Sequence, residues 1–93
     1  MILKVFTKTD CPKCPPAKSL ANLLAKESRI VNHELRIETY DTDDVDGMAE
    51  AAFYTVMATP TVLLCDEEGK LVEAWRGQVP KQSEVVRVLR DKS

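Results

Sequence analysis

Cys11 and Cys14 are separated by two residues in the run Asp10-Cys11-Pro12-Lys13-Cys14. Two thiols at that spacing on a tight turn come within disulfide distance without large backbone movement. The same pair can also supply part of a metal's ligand set. Cysteines that serve only as small apolar residues are normally buried, whereas these two lie among Thr, Asp, Lys and Pro. Dithiol–disulfide exchange is therefore the chemistry to expect first, and it requires one sulfur to react as a thiolate. Lys8, Lys13 and Lys18 place positive charge nearby, and a helix start following the pair would add the positive end of its dipole. Asp10 opposes them, but an exposed carboxylate is screened by solvent and salt. The expected result is a lowered pKa at Cys11.

The remaining candidate ligands do not complete a metal set. Cys65 ends the apolar run Thr61–Cys65 and reads as a buried structural thiol. His33 shares a face with Val31, Leu35 and Ile37, the setting of a core or edge histidine. A site built from Cys11, Cys14, His33 and Cys65 would have spacings unlike those of common zinc fingers or ribbons, so no metal is expected.

The elements that position the pair follow from periodicity. Ile2 to Phe6 is a short β-prone run that ends in polar residues. After Cys14, Ala17, Leu20, Ala21 and Leu24 recur at i, i+3, i+4 and i+7, with Leu23 widening the stripe, which predicts a helix. Pro15 and Pro16 fit only its first turn, so the helix is expected to begin near Pro15, with Cys11–Cys14 as a separate turn ahead of it. From Val31 the period becomes two: Val31, His33, Leu35 and Ile37 alternate with Asn32, Glu34, Arg36 and Glu38, a half-buried strand. Thr42, Asp43 and Asp44 offer N-caps for a second helix, whose buried face would be Val45, Met48, Ala49, Ala52 and Phe53. Thr61–Cys65 and Leu71–Arg76 flank the turn Asp66-Glu67-Glu68-Gly69 and predict a hairpin on which Trp75 packs. Pro80 is placed to open a last helix with Val85, Val86 and Leu89 buried. The order β-α-β-α-β-β-α implies an α/β fold with a four-stranded mixed sheet flanked by helices.

With 93 residues the chain has room for one domain and one core, residues 1–93. A net charge of −2 gives no general case for nucleic acid or an anionic membrane as partner. No apolar run approaches the roughly 20 residues of a membrane helix, and Met1–Lys8 lacks the pattern of a signal peptide. A cytoplasmic monomer is expected. Three cysteines are too few, and odd in number, for a stapled secreted scaffold. Phosphate-binding glycine loops are absent, which removes nucleotide chemistry.

Phe6-Thr7-Lys8-Thr9-Asp10-Cys11-Pro12-Lys13-Cys14-Pro15-Pro16-Ala17-Lys18 resembles the active-site segment of glutaredoxins and of small glutaredoxin-like thioredoxins. Val56-Met57-Ala58-Thr59-Pro60-Thr61 is similar to the segment that carries the cis-proline of the thioredoxin superfamily. The resemblance covers essentially the whole chain. It implies a thioredoxin-like fold, Cys11 as nucleophile, Cys14 as resolving thiol, and Pro60 cis beside them. It also implies that the Thr59 backbone pairs with a substrate polypeptide, with Lys8 and Lys13 as further substrate contacts. The function implied is a disulfide oxidoreductase acting on protein disulfides, with no cofactor beyond the two sulfurs. The chain departs from thioredoxins proper, which carry a Trp-Cys-Gly-Pro-Cys motif and a buried acid on the preceding strand. Arg76-Gly77-Gln78-Val79-Pro80 also stands where glutathione-using members carry paired glycines and an acid. A thioredoxin reductase-like protein is therefore favoured over glutathione as electron donor, with Lys8 and Thr59 the remaining glutathione contacts. The alternative reading is a module of the same fold that binds a metal or protein partner through the CxxC loop without redox cycling.

Overall fold

All six residues of strand β1 (Ile2–Thr7) are buried, because the strand lies in the interior of the sheet. The computed structural model describes residues 1–27 and 35–91. β2 (Arg36–Asp41) runs parallel to β1, with Ile2 opposite Arg36 and Thr7 opposite Asp41. On the other side β3 (Thr61–Cys65) is antiparallel, pairing Ile2 with Cys65 and Phe6 with Thr61. β4 (Leu71–Trp75) completes the order β2-β1-β3-β4. A parallel β1–β2 pair needs a crossover, and α1 (Pro15–Glu27) lies within it. The β3–β4 turn is tied by Asp66 Oδ1, which accepts the N–H groups of Glu68 and Lys70, and Gly69 takes φ +85°. The expected mixed four-stranded α/β architecture and its element order are present.

One face of the sheet is dry. Leu3, Val5, Val62 and Leu64 pack against Ala17, Leu20, Ala21 and Leu24 of α1 and against Val85 and Leu89 of α3 (Gln82–Asp91). Trp75 belongs to this core rather than to a hairpin surface, while Leu23 stands half exposed off the α1 stripe. Pro80 does not open α3. Helical bonding begins at Lys81, whose carbonyl accepts the N–H of Glu84 and Val85, and Glu84 Oε1 reaches back to the Lys81 N–H at 3.2 Å. This reciprocal cap fixes the helix start beyond the proline.

The opposite face is covered by α2 (Val45–Phe53) alone among the described helices, and here the sequence expectation is inverted. Gly47 and Ala51 are the buried residues of α2, whereas Val45, Met48 and Phe53 are exposed, at 77%, 51% and 76%. The reason is proximity: a Cβ at Gly47 would overlap the carbonyl oxygen of Asp41. A helix this close to a strand end must turn its smallest residues inward.

β2 also differs from the reading. Val31–Glu34, with His33, lie outside the described residues. The strand begins at Arg36 and continues past Glu38 to Asp41, because β1 offers paired partners as far as Thr7. Its alternation holds, with Ile37 packed on the dry core and Glu38 facing Lys4. Among the described residues no helix is long and apolar enough to cross a membrane.

Candidate active site

β1 ends at Thr7 and β3 begins at Thr61, and their antiparallel register brings both points to one end of the sheet. The Cys11–Cys14 turn follows the first point, and the Thr59–Pro60 bond precedes the second. The two cysteines form a disulfide with Cα atoms 5.4 Å apart, and the turn is closed by the Cys14 N–H on the Cys11 carbonyl at 3.2 Å. They are unequal in exposure: Cys11 is half-buried at the surface, whereas Cys14 retains 2% of its accessible surface.

α1 begins at Pro15, as the two prolines dictate, and Cys14 is its cap. The Cys14 carbonyl accepts from Ala17 at 2.9 Å and from Lys18 at 3.2 Å. This limits one expected source of thiolate stabilisation. Pro15 and Pro16 have no N–H to donate, and the next two amides are committed to Cys14. For Cys11 the helix start therefore contributes its dipole rather than free amides.

The loop ahead of Cys11 is held from a distance. The Thr9 N–H donates to Asp43 Oδ2 at 3.1 Å and the Thr9 hydroxyl to Asp41 Oδ2 at 3.3 Å. Asp41 Oδ1 in turn accepts the Asp43 N–H at 2.8 Å. Asp10, next along, sits at φ +61°, a left-handed conformation that Asp adopts more readily than most residues. The three candidate caps of α2 are thereby resolved. Asp44 is the N-cap residue but makes no side-chain cap bond, and the Asp43 carboxylate serves the site loop instead. Sequence reasoning missed Thr9 and Asp41 as positioning residues. The available signal was the Asp41-x-Asp43 spacing, which suits an Asx turn at a strand end.

Thr59–Pro60 is cis, and Pro60 is fully buried. The loop is fixed by Thr61, whose hydroxyl donates to the Ala58 carbonyl at 2.7 Å and accepts the Gly77 N–H at 3.1 Å. Gly77 takes φ +70° at that contact. Arg76 Nη1 ties the same region to the end of α2 through the carbonyls of Tyr54 and Thr55, at 3.1 and 3.0 Å.

Two adjoining depressions meet at Lys8. One is lined by Cys11, Cys14, Thr9, Asp10 and Lys18, the other by Thr59, Met57, Val56, Met48 and Ala52. The structure thus brings Lys8 together with Cys11, Cys14 and Thr59. Lys13 projects into solvent between the cysteines and lines neither depression.

Cys65 lies elsewhere. It is buried on β3 opposite Ile2, at the far end of β1 from the disulfide, about 17 Å of strand at ~3.3 Å per residue. Burial pushes its thiol pKa up, with the Tyr54 hydroxyl against it partly offsetting the effect. Cys65 therefore cannot join Cys11 and Cys14 around one ion. Among the described residues, no group of three or more His, Cys, Asp and Glu is arranged to hold a metal.

Between these regions Lys4 is 93% removed from solvent, its exposure being 7%. Its ammonium donates to Glu50 Oε2 at 2.8 Å, lies 3.5 Å from Glu38 Oε1, and sits over the rings of Tyr40 and Tyr54. Burial works against its charge, but the hydrogen bond and charge of Glu50 outweigh that and hold its pKa above the ordinary lysine value. Burial, then the hydrogen bond to Glu38, push Tyr40 up to about 12. That bond is 2.6 Å and is also the main cause of a lowered Glu38 pKa.

Comparison with known proteins agrees with this geometry. The family model described as Thioredoxin domain matches residues 1–90. A probable thioredoxin from Archaeoglobus fulgidus is 27% identical over 67 residues, 72% of this chain and 68% of that protein. Among solved structures, a thioredoxin-like protein from Clostridium perfringens superposes with a TM-score of 0.77 at 17% identity, over 97% of this chain and 68% of the other. A thioredoxin variant from Halobacterium salinarum gives 0.76 at 20%, over 97% and 72%. Thioredoxin 1 from Thermosipho africanus gives 0.67 at 17%, over 99% and 93%. At such identities the superpositions speak for the fold, and the family match speaks for descent. With the fold, the bridged cysteine pair and the family model in agreement, this chain belongs to the thioredoxin domain family.

Proposed function

We propose that the chain is a protein disulfide reductase and electron carrier that cycles a Cys11–Cys14 disulfide. Family membership and the close cysteine pair support a thiol–disulfide oxidoreductase in general. The observation that carries the finer reading is the unequal exposure of the two sulfurs. A half-buried Cys11 can meet an external disulfide. A buried Cys14 can reach only what is already bonded to Cys11.

In the reducing direction the Cys11 thiolate attacks one sulfur of the substrate disulfide. A bond forms between Cys11 and that sulfur, and the other leaves as a thiolate and takes up a proton. Cys14 then loses its proton and attacks Cys11, and the second substrate sulfur departs. Two electrons pass to the substrate and the Cys11–Cys14 disulfide is left. A protein reductase returns it to the dithiol, in preference to glutathione. Lys8 and Lys18, beside the disulfide, and Lys13 favour the thiolate by charge, while the Thr59 backbone and Pro60 align the substrate chain. The pathway needs no metal or organic cofactor, and the protein acts as a cytoplasmic monomer.

The test is a redox titration of metal-free protein with alkylation and mass readout at each cysteine. The expected result is one two-electron transition confined to Cys11 and Cys14, with Cys65 protected in the native state. A midpoint near about −270 mV accords with thioredoxin-like reduction, and one near roughly −200 to −230 mV with a glutaredoxin-like role. Absence of a Cys11–Cys14 disulfide across the range overturns the proposal.

A further inference from the structure

The face of α2 that the sequence marks for burial is open to solvent. Val45, Met48, Ala49, Ala52 and Phe53 follow one another at i, i+3, i+4, i+7 and i+8, all exposed, and Met57 beyond the helix is 89% exposed. Single exposed apolar residues are ordinary, whereas a contiguous stripe marks an interaction surface. Two observations say what covers it. First, the stripe is continuous with the redox site: Met48, Ala52 and Met57 line the same depression as Lys8 and Thr59. Second, its N-terminal end and flank carry the exposed carboxylates of Asp44 and Asp46. Of the cations on this side, Lys4 is buried and paired with Glu50 and Glu38, and Arg76 is bonded to the carbonyls of Tyr54 and Thr55 past the end of α2. Lys8 lies in the depression toward the disulfide, so the carboxylates dominate the N-terminal end of the stripe.

We infer that α2 is a docking face for a partner protein that presents an apolar patch rimmed by lysine or arginine, and that it holds such a partner while its disulfide reaches Cys11. This rests on the reductase reading for the purpose of docking, although the contact itself does not depend on electron transfer. A second copy of the chain fits less well, since two-fold pairing through this stripe brings the same aspartates to both sides of one interface.

The experiment uses two peptides with identical intramolecular disulfides and tails of alternating leucine with either lysine or glutamate, together with cysteine-free forms of both. Binding of the cysteine-free forms is measured by titration calorimetry. The expected result is about tenfold tighter binding of the lysine peptide, weakening with added salt. That preference is expected to shrink below about twofold in Asp44→Asn/Asp46→Asn, and to persist in Glu73→Gln/Asp91→Asn, on β4 and α3. Val45→Ser/Phe53→Ser is expected to weaken the lysine peptide about tenfold. Equal binding of the two peptides, or a preference unchanged by the α2 substitutions, overturns the inference. So does a concentration-dependent dimer in sedimentation equilibrium that Val45→Ser/Phe53→Ser abolishes, because the occupant is then a second copy. Turnover of bis(2-hydroxyethyl) disulfide by the pre-reduced dithiol protein, one disulfide consumed per Cys11–Cys14 pair, involves a substrate too small to use α2 and reads the redox function separately. Preferential binding without that turnover overturns the reductase reading alone, and turnover without preferential binding overturns the docking face alone.

Discussion

The two faces of the sheet are closed by different physics. On the α1/α3 face, large aliphatic side chains of the sheet and of both helices form one apolar cluster. On the α2 face, a small cluster of Ile2, Phe6, Leu63, Cys65 and Ala51 surrounds a lysine held by two carboxylates and two aromatic rings. One side is sealed by volume, the other by close backbone approach and charge pairing. The difference explains why α1 and α3 turn their bulk inward while α2 is free to show its larger residues to solvent.

Mutation of each face sharpens this contrast. Leu24→Ala, in the dry core, is expected to lower stability by about 2–5 kcal/mol through lost burial and the cavity left behind. Denaturant titration checks it, and a loss under about 1 kcal/mol would mean that this core is looser than its burial implies. Gly47→Ala adds one methyl where the Asp41 carbonyl leaves no room, and is expected to cost roughly 2–3 kcal/mol. Because Asp41 also holds Thr9, this substitution should in addition slow alkylation of reduced Cys11 or alter its pH profile. An unchanged profile would uncouple α2 from the site loop.

Lys4→Met keeps the bulk and removes the charge. With Glu38 and Glu50 partly open to water, the expected loss is about 1–2 kcal/mol at neutral pH, below that of a fully buried pair. The pH dependence has a definite sign. The Glu38 pKa is lowered in the folded state, so its contribution is present above the ordinary carboxylate value and is lost as pH falls through the folded one. Most of that lowering comes from the Tyr40 hydrogen bond, which Lys4→Met leaves in place, so the gap between wild type and Lys4→Met is expected to narrow in acid only by the smaller part that the charge of Lys4 supplies. The pKa values of Lys4 and Tyr40 are raised, so their contributions are present below the ordinary values and are lost on going above them. Wild-type stability should accordingly fall from about pH 10 upward. Equilibrium unfolding across pH tests both limbs, and a constant gap would remove the ionic account of this face. The smallest effect is expected at Phe53→Ser, within about 0.5 kcal/mol because the ring is exposed. A larger loss by thermal melting would show that the α2 stripe contributes to folding after all.

What the sequence disclosed follows the same division. The helical spacing of Ala17, Leu20, Ala21 and Leu24 and the apolar run Thr61–Cys65 led directly to the dry core, because large residues there have one destination. The disulfide turn and the start of α1 were legible because Pro15 and Pro16 restrict the backbone wherever they stand. The α2 face misled, since periodicity reports which residues share a side but not which side packs. Gly47 within a helical pattern was the clue, as an internal glycine often marks a close approach. The cis geometry at Pro60 followed from the resemblance of Val56–Thr61 to a known segment and not from local physical chemistry, since an isolated X–Pro bond is more often trans. The bonds from Thr9 to Asp41 and Asp43 join residues more than thirty positions apart. Lys4 was passed over because charge alternating along a strand normally points to water, and its partner Glu50 comes from a different element.

β1 is also an interior strand. It takes its two neighbours from segments that end at Asp41 and Cys65, and the anchors of Thr9 and the cis Pro60 come with or beside those same segments. The surroundings of the Cys11–Cys14 turn are therefore assembled from three separate stretches of chain, and they are complete only when β3 has closed against β1.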